Sequence, residues 1–484
     1  MTSYFALSTP QSAPHPPLRG HIDCDALVIG GGICGILTAH LLRERGLDVV
    51  LLEAGRLAGG QTRGTTAKVT VQHGAFAAKL LRTAGRERAQ AYVAANLRAV
   101  DALEALALRS GADCSFERVP AFVYTLTEPG ALEQEAEACA LLGLHVESTR
   151  RLPAPILPAA ALCMEAQAQM NPLPLLRALA GPLRAFEHSR VISMDGPCAR
   201  TAQGSVRAKA IAVCTNYPAF TLPGAYFLRL YQQRAYVLAL KGAQPVGGIL
   251  YGIEPGAYSL RSAQDAVFLG GESHRCGDAR AASGCYDRLR GAAKRLFPDA
   301  QEATRWSAQD CMTPDGIPYV GRYSMRMPGV HIATGFGKWG MSNAMAAAQL
   351  LADAITEREN PLAWAFSPQR LPGPSACVAL AGQAGHACAG LGASLLPPPL
   401  RTTESLAPGE GAIVRDGLRK LAAYRDEQGA LHAISPYCAH MRCLLRFNAS
   451  ERSWDCPCHG SRFSVDGELL CGPAQHGQPA ADRD

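Results

Sequence analysis

The sequence predicts a large N-terminal α/β domain, a linker and a small all-β domain at the C-terminal end. Three observations carry this. Residues 25–53 read as one strand–helix–strand unit with a glycine turn between its first two elements. Residues 360–400 hold seven prolines and many Ala and Gly, a break in composition of the kind linkers show. Beyond residue 404 short apolar runs alternate with tight turns such as 426–429 and 466–467.

The elements follow in order. Residues 25–30 are a short buried strand ending in Gly30, a helix runs over about 33–45 with Gly46 at its end, and 47–53 is the second strand. Residues 86–108, dense in Ala and Leu, predict a long helix. Segments 122–125, 191–194, 210–214, 235–240, 267–269 and 330–334 predict strands. A glycine-rich turn and a helix over about 342–356 follow the last of them. One short helix is expected in the linker.

Composition narrows the function classes. The chain has 484 residues, 48% hydrophobic and 18% charged, which excludes a mainly disordered protein. Its net charge of +6 comes from 47 basic and 41 acidic residues with no run of Lys or Arg, so no nucleic-acid partner is expected. Two stretches imitate membrane spans, 26–42 and 371–400. Glycines interrupt the first and prolines the second, and no span is expected. Residues 1–20 carry four prolines and no apolar core, so no secretory leader is expected and the location is read as cytoplasmic. Of 17 cysteines, twelve are scattered between Cys24 and Cys388, and four fall within 21 residues, at Cys438, Cys443, Cys456 and Cys458. This is the pattern of a reducing compartment with one local metal site.

Gly30-Gly31-Gly32-Ile33-Cys34-Gly35 is G-x-G-x-x-G placed after a strand and opening a helix. Gly30 permits the turn, Gly32 lets the backbone approach a pyrophosphate, and Gly35 lets helix and strand pack closely. Glu53 ends the second strand 21 residues after Gly32, where a carboxylate meets a ribose hydroxyl. These features predict a dinucleotide site and leave FAD and NAD both open.

Glu53-Ala-Gly-Arg56, followed by the run from Gly59 through Thr65-Thr66-Ala67 to Lys68, resembles the FAD-binding segment of the D-amino-acid oxidase-like flavoproteins. That group includes sarcosine and glycine oxidases. The runs 313–321 (Thr-Pro-Asp-Gly-Ile-Pro-Tyr-Val-Gly) and 332–342, with Gly335, Gly337, Lys338, Trp339 and Gly340, resemble two later turns of the family. The resemblance covers residues 20–360. It implies an FAD-binding, Rossmann-like domain with an inserted mixed-sheet substrate domain, and a small-molecule substrate. Lys338 is a candidate for stabilising negative charge on a reduced flavin, or a solvated loop lysine. His73 is a candidate acid/base group, or a structurally bonded histidine. In the glycine-oxidase branch an arginine three residues before the T-P-D-G turn clamps the substrate carboxylate. Asp310 stands at that position, so a simple α-amino acid held by its carboxylate is not expected unless Arg229 or Arg234 takes over.

Cys438-Ala-His440 is followed, after 15 residues, by Cys456-Pro-Cys458-His459-Gly-Ser461. Two Cys and two His suit zinc or an iron–sulfur centre. The run closely resembles the Rieske [2Fe-2S] domain, here over 404–484 after a linker at 361–403. The resemblance implies Cys438, His440, Cys456 and His459 as cluster ligands, a disulfide between Cys443 and Cys458, and a covering loop at Gly472-Pro473. Arg442 stands where many such loops carry Gly, and Phe463 where high-potential members carry Tyr.

The chain as a whole thus resembles fusions of an FAD-dependent oxidoreductase with a Rieske domain. The expected function is transfer of electrons from an organic substrate, an amine, through FAD and the cluster to an external acceptor or donor protein. The alternatives are a reductase, which needs a second nicotinamide fingerprint that 75–330 lacks, and a redox sensor without amine oxidation.

Overall fold

Strand Gly20–Ile29 buries its last four side chains on both faces, which suits the centre of a parallel sheet covered by helices. It pairs in parallel with Gly204–Val213 on one side and Val49–Leu52 on the other, in register Ala26 with Ala210 and with Val49. Val330–Thr334 and Arg184–Phe186 extend the sheet in parallel, and Tyr319–Arg322 closes one edge antiparallel. Helices Ile33–Glu44 and Gly340–Ile355 share one face and a common core that includes Leu37, Ala344 and Leu351. The computed structural model describes residues 2–218, 220, 223–371 and 373–480.

A second sheet of nine strands is inserted between these elements. Along its path lie Gln301–Met312, Tyr231–Lys241, Ala266–Arg275, Ser259–Ala263, Ile249–Gly252, Glu117–Thr125, Ala160–Gln169 and Lys68–Val69. It is mixed, because Ile249–Gly252 runs parallel to Glu117–Thr125 while its other neighbours are antiparallel. The long helix Arg86–Ser110 packs against Gly340–Ile355 and ends at Gly111, in the left-handed region at φ 64°.

The C-terminal part is a three-stranded sheet (Gly411–Asp416, Arg419–Arg425, Leu431–Ile434) and a four-stranded sheet (Arg446–Asn448, Ser453–Asp455, Arg462–Phe463, Leu469–Cys471) around the buried Trp454 and Phe463. This matches the expected small all-β unit. The last four residues of the predicted range, 481–484, lie outside the described residues.

Three expectations need correction. The segment 191–194 forms only Ser193–Asp195, a short hairpin arm paired with Cys198–Arg200. Strands Ala160–Gln169 and Gln301–Met312 were not anticipated. The linker holds a 22-residue helix, Pro374–Leu395, where one short helix was expected. Pro374 sits in its first turn, where a missing N–H costs nothing. Among the described residues no helix is long and apolar enough to cross a membrane.

Candidate functional site: two adjoining cavities and a thiol–imidazole centre

The glycine turn opens a long cavity. Gly30 has φ +107°, and a Cβ there would stand 2.6 Å from the Cys214 carbonyl oxygen. A Cβ on Gly35 would stand 1.8 Å from the Gly30 oxygen, so both positions are dictated by backbone packing. Gly32 differs. It faces the cavity, and its added Cβ would approach only Thr62 Oγ1, at 3.3 Å. Glu53 lines the same cavity and accepts from Gly31 N–H and Gly55 N–H, both at 2.7 Å. Each oxygen keeps a lone pair for a further donor. At the far end Gly337, Lys338 and Gly340 close the cavity. A bare glycine backbone at a helix start, a strand-end carboxylate and a cavity joining them fit an FAD.

Not every predicted residue lies there. Arg56 turns away: its Nε pairs with Glu187 at 3.1 Å and its Nη2 donates to the Ser12 carbonyl. Gly35 and Gly335 shape the backbone; a Cβ on Gly335 would meet Thr313 Cγ2 at 2.3 Å. Thr65 lines the cavity, whereas Thr66 and Ala67 present their carbonyls to the buried Arg261, both at 2.7 Å.

A second cavity of about 470 Å³ adjoins the first on the face of the nine-stranded sheet. Thr65, Asp310 and Lys338 line both cavities. Trp339, Tyr251 and Lys68 line the second. Burial pushes the Asp310 carboxyl up to about 6, against the lowering effect of Lys338 and Arg234. Lys338 donates to Ser273 Oγ.

His73 lines neither cavity. Nε2–H donates to the Thr70 carbonyl at 2.8 Å, and Nδ1 accepts from the Tyr92 hydroxyl at 2.7 Å. Burial holds the ring neutral, its pKa down to about 3. Its ring stacks on Trp339, centroids 4.9 Å apart. The structure thus uses His73 to seat Trp339, and both its nitrogens are spent. Arg229 and Arg234 also miss the second cavity. Arg229 lies over the Tyr319 ring and Arg234 pairs with Asp455.

In the C-terminal part, loops 438–443 and 456–461 bring Cys438, His440, Cys456 and His459 together. The imidazoles meet edge to face, centroids 5.0 Å apart, and Nδ1 of each is buried without a partner among the described residues. Burial holds both rings neutral, near pKa 4. A hydrogen bond from Cys456 holds the Cys438 thiol down to about 7, while Cys456 is pushed up. Two adjacent thiols and two orphaned neutral imidazole nitrogens are the donor set of a [2Fe-2S] centre with mixed ligation, and they fit it. The thiols of Cys443, Cys456 and Cys458 lie within 4.8 Å of one another. The disulfide expected between Cys443 and Cys458 is not formed; both are thiols that approach without bonding. Arg442 takes φ 57°, the region that favours the glycine of other loops, and its exposed side chain lies over Tyr437.

The centre is docked onto the oxidoreductase part. His459 Nε2 donates to the Phe227 carbonyl at 3.1 Å, and the amides of Gln232 and Gln309 donate to the carbonyls of His459 and Gly460. Arg234 meets Asp455 at 3.3 Å, both nearly fully buried. These interface residues were not foreseen, since nothing local in sequence links position 234 to position 455. Leu470 and Cys471, at the end of the last strand, and Gly472 and Pro473 after it form part of the wall of the first cavity.

Comparison with known proteins agrees with both halves of this geometry. The FAD dependent oxidoreductase family model matches residues 25–354, and the Rieske [2Fe-2S] domain model matches residues 398–481. A Bacillus subtilis (strain 168) protein, YhfW, named as a Rieske 2Fe-2S iron-sulfur protein, is 35% identical over 479 residues, covering 95% of this chain and 93% of its own. Gamma-glutamylputrescine oxidoreductase of Escherichia coli (strain K12) is 46% identical over 59 residues, 12% of this chain and 14% of its own. Glycine oxidase from Geobacillus kaustophilus shares the fold at TM-score 0.61 and 20% identity, over 73% of this chain and 100% of its own. L-proline dehydrogenase from P. horikoshii does so at 0.59 and 18%, over 73% and 98%. The cavity at the glycine turn and the thiol–imidazole centre docked against it are therefore those of an oxidoreductase: the chain belongs to the FAD-dependent oxidoreductase family and carries a C-terminal Rieske [2Fe-2S] domain.

Proposed function

We propose that this protein oxidises an amine and passes the electrons inward to its own Rieske centre, and from there to an external acceptor. The observation that carries the reading is the shared wall. The segment Leu470–Pro473 of the Rieske part lines the same cavity as Gly32 and Lys338. FAD, when bound, accepts the two electrons released as an amine becomes an imine and can release them singly. The chain's residues do the rest. Asp310 faces both cavities and offers a carboxylate to a cationic amine. Trp339, fixed by His73, and Tyr251 form an aromatic wall of the second cavity, on which an ammonium can rest. Lys338 brings positive charge to the border of the two cavities. The short match to an oxidoreductase named for gamma-glutamylputrescine, an amine, supports the same substrate class.

The test is anaerobic mixing of the holoprotein with a panel of primary and secondary amines. Flavin bleaching should be followed by the electron paramagnetic resonance signal of a reduced Rieske centre, without added mediator. Bleaching with no cluster signal would refute the inward path. Failure of every amine to bleach the flavin would refute the substrate class.

A further inference from the structure

The wall of the cofactor cavity comes from both parts of the chain. Gly30, Gly32 and Glu53 line it from the oxidoreductase part, and the run from Leu470 to Gln475 lines it from the Rieske part. Undocking of the Rieske part takes that side of the cavity away.

Gln475 carries the one carboxamide of the run. Its amide nitrogen and oxygen are both buried and have no partner among the described residues. An amide buried in this way is destabilising until something bonds it. The other two glutamines on the wall are already engaged. Gln61 Nε2 donates to Cys471 Sγ at 3.7 Å, and its Oε1 accepts from the Gln309 N–H at 2.7 Å. Gln309 Nε2 donates to the Gly460 carbonyl at 2.7 Å, and its Oε1 accepts from Arg234. FAD presents hydroxyls and carbonyl oxygens along its length, and an amide can both donate to and accept from such groups.

The engaged glutamines carry the second half of the argument. Gln61 and Gln309 line the cavity and at the same time hold Cys471 and Gly460 of the Rieske part. Tyr217 lines it as well, and its ring lies 6.2 Å from that of His459. Side chains that shape the cofactor's wall are thus the ones that fasten the Rieske part. A ligand that favours their docked arrangement favours docking, and docking then tightens the ligand to the same extent.

We propose that Gln475 is an FAD-binding residue supplied by the Rieske part, and that FAD binding and docking of that part strengthen each other. The proposal is independent of the substrate, because it concerns the cofactor alone.

The experiment titrates FAD into the flavin-depleted full-length protein and follows flavin fluorescence. Gln475→Met, an unbranched apolar chain of similar length, should weaken FAD binding roughly threefold to tenfold, the size of one hydrogen bond, with the Rieske absorbance unchanged. Gln475→Leu should behave alike. In the flavin-free protein the same variants should melt at a higher temperature than wild type, because an unpaired buried amide has been removed. FAD should slow proteolysis at 396–403 in the wild type, and less so in the variants. Unchanged FAD affinity overturns the proposal. So does a cleavage rate indifferent to FAD, or one that FAD slows equally in wild type and variants. Weaker FAD binding together with a lower melting temperature of the flavin-free protein marks a packing residue and overturns it too.

Discussion

Replacing Arg234 by Met should undock the Rieske domain. Arg234 and Asp455 are each 2% exposed and meet at 3.3 Å across the interface. The guanidinium also donates to Ser307 Oγ at 3.0 Å and Gln309 Oε1 at 2.5 Å. Burial works to raise the Asp455 carboxyl, but Arg234 and Arg462 together hold it below the usual carboxylate range. Methionine matches the volume and leaves the carboxylate behind. Breaking a buried pair in this way costs about 3–5 kcal/mol. Arg462, 3.7 Å from Asp455, and hydrogen bonds from Ser453 and Asn448 remain, so the lower figure of about 3 kcal/mol applies. That shifts the docking equilibrium roughly a hundredfold.

The assay follows cluster reduction after anaerobic flavin reduction, together with proteolysis of the segment at 396–403. Arg234→Met should slow the first and speed the second. Arg234→Met/Asp455→Asn should recover most of both, because no charge is stranded. The sign with pH follows from the lowered carboxyl. The pair's contribution is present above the unfolded carboxylate value of about 3.9 and is lost as pH falls through the folded value below it. Wild-type docking should therefore hold from pH 5 to 8 and fail in acid below about 4, and the double variant should lack that acid limb. Unchanged docking in Arg234→Met, or a double variant no better than the sum of the singles, would refute the reasoning.

Gly32→Val should give a folded protein without flavin, since its side chain enters the cavity, whereas Gly35→Val should fail to fold because its Cβ strikes the Gly30 carbonyl; flavin content and circular dichroism separate the two. His459→Ala should lose the Rieske absorbance and keep the flavin, as the two sites use different loops. Phe463→Tyr should raise the cluster potential, on the order of 50 mV for one added hydrogen bond to a ligand sulfur; redox titration reads it, and no rise would count against the bond. Amine-dependent flavin reduction should fall as pH drops through about 6, where Asp310 takes a proton, and Asp310→Asn should lose that limb and most of the rate.

What the sequence revealed and what it hid divide by range of interaction. Gly35 is legible because the clash it avoids, with the Gly30 carbonyl, lies five residues away in the chain, and Gly30 because its φ of +107° belongs to the turn itself, although the backbone it would strike is that of Cys214. The cluster ligands are legible because each loop contributes one Cys and one His at fixed spacing. Asp310 is legible only by its offset from a recognised turn. Arg234–Asp455 is invisible, because it joins strands 221 positions apart. His73 misleads because a histidine beside a cofactor segment looks the same whether its nitrogens are free or bonded; burial among Thr70, Tyr92 and Trp339 decides. The linker is the sharpest case. Its Ala and Gly content and its lack of charge read as flexible chain, yet residues 374–395 form a continuous helix. The reason for its glycine at 390 is a contact, not flexibility: a Cβ there would stand 2.5 Å from Cys458 Sγ, beside the second cluster loop. The glycine lets the helix backbone pack directly on the Rieske centre. A residue that reads as flexible chain in the sequence thus serves, in the folded protein, as a close contact with the second cluster loop.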